Sequence, residues 1–146
     1  MIVSPRLKQG DSIRIDGNTY SVAGQYLFDS PLVRWYEWPV YDAINASWRL
    51  VAQVSDHLLD AQREPVSLPA PPEGARECAP AGLGLKSEGE VRFEGTGSTG
   101  TKFGRGHFWR FECADGSFVI ITQIGEESGK LTGQAIDEAR YAIYPA

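Results

Sequence analysis

The chain has 146 residues, a formal net charge of −5 and a sequence pI of about 5.0. That acidity argues against non-specific binding to nucleic acid or to an anionic membrane, since both need an excess of Lys and Arg. Hydrophobic residues at 42% and charged residues at 23% describe a globular chain rather than a disordered one.

The length suits one domain over residues 1–146. The opening MIVSPRLKQGD has no apolar run of signal-peptide length. No stretch reaches the roughly 18 apolar residues of a membrane-spanning helix, so no membrane insertion is expected. The expected location is the cytoplasm, where Cys78 and Cys113 stay reduced.

Period-two alternation and turn dipeptides run through the chain. Ser12 to Ile15 alternates, and Asp16-Gly17-Asn18 turns it. Thr19 to Phe28 returns, with a bulge expected at Gly24. Val33 to Asp42 is a long aromatic strand, Ala43 to Ala46 turns it, and Ser47 to Val54 comes back. Asp56 to Glu64 reads either as a short helix capped by Asp56 or as the second arm of a hairpin, and the strand is preferred.

Residues 65–82 carry five prolines and no aromatic side chain, so they read as a Pro-rich connection between a β half at 7–64 and a β half at 83–146. Further strands are expected at 83–87, 90–94, 106–113, 117–124, 130–136 and 139–144, with turns at Asp115-Gly116 and at Glu126 to Gly129. The fold class is all-β: an antiparallel meander of about eight to eleven strands in two packed halves, forming a small barrel or sandwich. Trp35-Tyr36-Glu37-Trp38 and Phe108-Trp109-Arg110-Phe111 have the same aromatic–aromatic–charged–aromatic order, and each precedes a returning strand. This pattern points to an internal repeat with the halves related by a pseudo-twofold axis.

Leu7, Gly10-Asp11, Gly17, Tyr20, Val22, Gly24, Trp35, Glu37-Trp38, Val40 and Trp48-Arg49-Leu50-Val51 resemble the bacterial family called domain of unknown function 4178. Gly89-Glu90, Asp115-Gly116 and Gly133 extend the resemblance into the second half, while Trp38 stands where the family usually has Tyr. The resemblance implies a cytoplasmic, β-rich bacterial protein with no established catalytic activity. It also implies an accessory role linked to membrane-stress or polyamine-related operons.

Motifs for chemistry are thin. Gly95-Thr-Gly97-Ser-Thr-Gly100 matches G-x-G-x-x-G, but no helix follows to receive a pyrophosphate, so it reads as a hairpin tip. Lys102 and Arg105 beside it form a candidate anion-binding loop. Lys102, Arg105, His107 and Arg110 interleave with Phe103, Phe108, Trp109 and Phe111, a pattern that can also grip single-stranded nucleic acid. His57, His107, Cys78 and Cys113 have no metal-ligand spacing, so neither metal nor cofactor is expected.

Glu37 is the most informative residue. Alternation puts it on the face of Trp35, opposite Tyr36, Trp38 and Val40. A carboxylate flanked by aromatics is desolvated and seeks a cation, for which Arg49 or Arg110 is the expected partner. The same carboxylate could instead face a ligand. The reading is therefore a noncatalytic binding or adaptor domain that acts through a protein partner. The alternatives are a binder of a small cationic amine at a site between the halves, and a nucleic-acid-binding module. The candidate binding residues are Trp35, Glu37, Trp48, Arg49 and Arg110; no catalytic residue is assigned.

Overall fold

A computed structural model describes residues 4–67, 82–97, 100–112 and 118–146. The centre of the Pro-rich connection, both cysteines and the Asp115-Gly116 turn lie outside those residues.

Eleven strands form one sheet. They are β1 (Ser12–Ile15), β2 (Asn18–Val22), β3 (Gln25–Asp29), β4 (Arg34–Asp42), β5 (Ser47–Val54), β6 (His57–Pro65), β7 (Gly84–Gly97), β8 (Gly100–Glu112), β9 (Phe118–Ile124), β10 (Glu127–Ala135) and β11 (Tyr141–Tyr144). Among the described residues the only helical element is a 3-10 turn at Glu138–Arg140. His57 to Glu64 is strand, as preferred, with Asp56 in the turn before it.

The β4–β5 pairing closes eight strands, β3 to β10, into an antiparallel barrel. Its wall consists of two four-stranded meanders, β3–β6 and β7–β10. They join through β3 with β7 and β6 with β10, both antiparallel. Antiparallel pairing between equivalent strands is what a twofold relation between the halves requires, and Phe28 meets Phe93 across the first join.

The register corrects the expected alignment of the repeat. Tyr36 lies opposite Gln53, and His107 lies opposite Gln123. If Gln53 and Gln123 are equivalent, Glu37 therefore corresponds to Phe108 and not to Arg110. The aromatic quartets are displaced by two residues, so the inward parity survives and the individual matches do not.

Local chemistry explains the turns. Asp16 and Gly17, both at positive φ, make the two-residue hairpin turn between β1 and β2. Along one edge of β4 the register shifts by one residue between Val22↔Val40 and Tyr26↔Glu37, so β2 and β3 are one strand bulged at Ala23-Gly24. A Cβ on Gly24 would lie 2.7 Å from the Thr96 carbonyl oxygen, so the bulge needs glycine. Two expected boundaries move. The strands beside the Gly-rich hairpin tip run further than expected, pairing as far as Gly97↔Gly100, and the later turn is Gly125-Glu126, with Gly129 inside β10.

Three clusters fill the molecule. Inside the barrel lie Phe28, Trp35, Ala52, Leu59, Val91, Phe108, Ile120 and Leu131. Outside β4 and β5, Tyr36, Trp38, Val40 and Val51 pack against Ile13, Ile15, Tyr20 and Val22 of the β1–β2 hairpin. Outside β8 and β9, Trp109, Phe111, Val119 and Ile121 pack against Val66 in the Pro-rich connection, Leu83 just after it and Leu85 on β7. Strand β4 is thus apolar on both faces because both are covered.

Candidate functional site

Alternation along β4 sends Trp35 and Glu37 into the barrel, where Glu37 is 1% exposed. The cation that meets it is Arg63 on β6, which corrects the expectation of Arg49 or Arg110. Arg63 donates from Nε to Glu37 Oε1 at 2.7 Å and from Nη2 to Oε2 at 2.5 Å. The indole of Trp35 donates to the same Oε2 at 3.0 Å, and Arg63 Nη1 donates to Thr122 Oγ1 at 3.0 Å. The guanidinium also lies over the Phe28 ring, 5.2 Å from its centroid. The pair is bidentate, with further hydrogen bonds on both partners, which is the arrangement that offsets the cost of desolvating two charges.

Arg63 reaches Glu37 by tertiary geometry. Glu37 lies opposite Ala52, and Ala52 opposite Leu59, so Arg63 stands four residues along β6 from the simple cross-strand position. Strand tilt in a closed barrel brings such residues together. The available signal was parity: Leu59, Ala61 and Arg63 alternate inward on one strand.

The remaining candidates separate from Trp35 and Glu37 and gather elsewhere. Trp48, Arg49 and Arg110 line one cleft of about 1130 Å3, together with Asp60, Glu112 and Phe118. It opens where β8 ends, β9 begins and β10 ends. Trp48 is 64% exposed, whereas Trp35, Trp38 and Trp109 are buried. Its ring packs against Tyr41 at 4.8 Å. The turn that presents it is tied by Asp42, whose carboxylate accepts from the backbone N–H of Ile44 and Asn45 and from the Asn45 amide. These bonds hold the Asp42 carboxyl below the ordinary carboxylate range, the Asn45 side chain contributing most. Ile44, at the tip, is 91% exposed.

Arg49 is engaged within the cleft. It donates from Nε and Nη2 to Asp60 at 3.0 and 2.7 Å, and from Nη1 to the Tyr20 hydroxyl at 3.4 Å. Asp60 raises its pKa further above that of a free guanidinium. Among the described residues Arg110 has one ion-pair partner, Glu112 at 3.6 Å, and its Nε is buried without a hydrogen-bond partner.

Lys102 and Arg105 stand on β8, not in a loop. Three residues apart on a strand, they point to opposite faces and do not converge on one anion. Arg105 lines a second cleft, of about 1040 Å3, with Asp29, Arg34, Arg92 and His107. There Arg34 holds Asp29 bidentately at 3.0 and 3.1 Å and, with a smaller contribution from Arg92, keeps its carboxyl below the ordinary range. His57 and Asp56 are exposed at the β5–β6 turn. Among the described residues no three His, Cys, Asp or Glu side chains gather as a metal site.

Comparison with protein-family models, with curated proteins and with solved structures finds no match.

Proposed function

We propose that the chain is a noncatalytic binding domain that engages a protein partner through the cleft beside Trp48. The observation that carries this reading is the contrast among the tryptophans: three are buried, and one stands 64% exposed at a cleft, backed by Tyr41, with two arginines in the same lining. Trp, Tyr and Arg are the residues that dominate protein–protein affinity when a partner covers them. An anchored hairpin end offers them at low ordering cost.

The buried polar groups support the same reading, because each already serves the fold. Asp11 accepts from the backbone N–H of Lys8 and Ala146. Gln53 ties Ser4, Arg6 and Ser55 together. Glu37 is committed to Arg63 and Trp35, which weighs against a cationic-amine ligand on that carboxylate. Phe108, Trp109 and Phe111 are buried, which weighs against a base-stacking platform on β8. Membership of the domain of unknown function 4178 family, a cytoplasmic location and a link to membrane-stress or polyamine-related operons belong to the same proposal.

Affinity capture from source cells with the parent chain, Trp48→Ala and Phe103→Ala tests it. Loss of an anchoring Trp removes about 2 kcal/mol or more, so Trp48→Ala retains less than roughly a tenth of the partner. Phe103 is also exposed but lies outside the cleft, and its replacement leaves capture intact. Retention by Trp48→Ala would dismiss the cleft as the partner site.

A further inference from the structure

We infer that the cleft accepts a carboxylate of the partner on Arg110, an inference that rests on the proposed binding role of that cleft. Four other arginines show what a satisfied guanidinium looks like in this molecule. Arg34, Arg49, Arg63 and Arg140 each give two N–H groups to one carboxylate, those of Asp29, Asp60, Glu37 and Asp16. Arg110 departs from the pattern. Among the described residues its one ion-pair partner, Glu112, is 3.6 Å away, beyond hydrogen-bond reach, and its Nε is buried with no acceptor.

Position makes the vacancy informative. Arg110 follows Phe108 by two residues on β8, so it shares the face of a side chain fully buried inside the barrel. Its side chain is 22% exposed, and it lines the cleft with Trp48 and Phe118. A buried donor without an acceptor is a standing penalty, and buried polar groups in native proteins are nearly always paired. Nε itself has no accessible surface, so a carboxylate entering the cleft meets the terminal nitrogens, which lack the hydrogen-bonded carboxylate that the other four arginines hold. Glu112 and Asp60 in the lining select a singly charged carboxylate over a phosphate, because they repel a dianion more strongly. The aromatic rim gives the carboxylate's carrier an apolar contact.

The test is NMR on the full-length 15N-labelled chain, following the Arg110 Nε–H resonance. The probes are N-acetylphenylalanine for a terminal carboxylate, N-acetylphenylalanylglutamic acid diamide for a side-chain carboxylate, N-acetylphenylalanine amide as the neutral control, and phenyl phosphate. At least one carboxylate probe is expected to shift Arg110 with a Kd of about 1–10 mM, and the better of the two identifies the source. The neutral amide leaves the resonance in place, and in Arg110→Met, which melts no lower than the parent, the backbone amides of Glu112 and Phe118 no longer respond to the carboxylate probes. An equal response to the amide, tighter binding of phenyl phosphate, or an Arg110→Met variant that melts well below the parent overturns the inference. Partner capture separates the two levels: loss with Trp48→Ala but not with Arg110→Met overturns the carboxylate and leaves the cleft standing.

Discussion

Replacing Glu37 with Gln probes the interior directly. The substitution keeps the shape and one acceptor oxygen, so Trp35 can still donate, but it leaves the Arg63 guanidinium without a counter-charge. Arg63 is 27% exposed and Glu37 2%, so solvent compensates the lost charge only in part. Breaking a buried pair by removing one member costs about 3–5 kcal/mol, and the surviving hydrogen bonds place Glu37→Gln near about 3. For a chain of 146 residues that corresponds to a fall in melting temperature of about 10 °C. Arg63→Met alone strands the carboxylate and costs at least as much. The double variant carries no buried charge and recovers about 2 kcal/mol relative to the sum of the singles, measured by urea denaturation and calorimetry as a double-mutant cycle. A Glu37→Gln loss below about 1 kcal/mol, or a double variant that is simply additive, would refute the assignment of the pair as the interior's electrostatic tie.

Other positions carry expectations of their own. Gly106→Ala would put a Cβ 1.7 Å from the Gln123 carbonyl oxygen, a backbone clash that should cost more than about 3 kcal/mol in denaturant titration. Ala46 holds φ at 49° in the β4–β5 turn, so Ala46→Gly should raise stability by about 0.5–1 kcal/mol. Asp16, Asp29 and Asp42 are held below their ordinary value of 3.8, principally by hydrogen bonds from Arg140, Arg34 and Asn45. Because the folded values are the lower ones, their stabilisation is complete above pH 3.8 and disappears as pH falls through the folded values. Melting temperature should therefore drop below about pH 4, and Asp29→Asn should flatten part of that drop.

Local features were the ones legible from residues alone. Asp16-Gly17, the bulge at Gly24, the strand nature of His57 to Glu64 and the shared face of Trp35 and Glu37 each depend on neighbours a few positions away. The identity of Arg63 was hidden because it depends on barrel closure and strand tilt, which set the partner of Glu37 two strands along the wall. The glycines near residue 100 misled for a related reason. Read locally they mark a hairpin tip and leave 101–105 outside the strands, yet Gly104 and Gly106 are needed because β9 crosses close: a Cβ there would meet the Ile124 side chain at 2.6 Å and the Gln123 oxygen at 1.7 Å. From the residues alone Trp48 and Trp35 both read as candidate binding residues, with nothing local to separate them. The exposure of Trp48 follows from its place at the start of β5: it shares the inward face of Leu50 and Ala52 but stands at the end of the barrel, where the cleft opens.

Hydrogen–deuterium exchange on the chain with its captured partner bears most directly on a filled barrel that works through its rim. Added protection is expected over residues 41–50 and 108–112, with none gained along Phe103 to Arg105 and no change around Glu37 and Arg63. Protection confined to the cleft of Arg34, Arg92 and Arg105, with residues 41–50 exchanging as in the free chain, would contradict it.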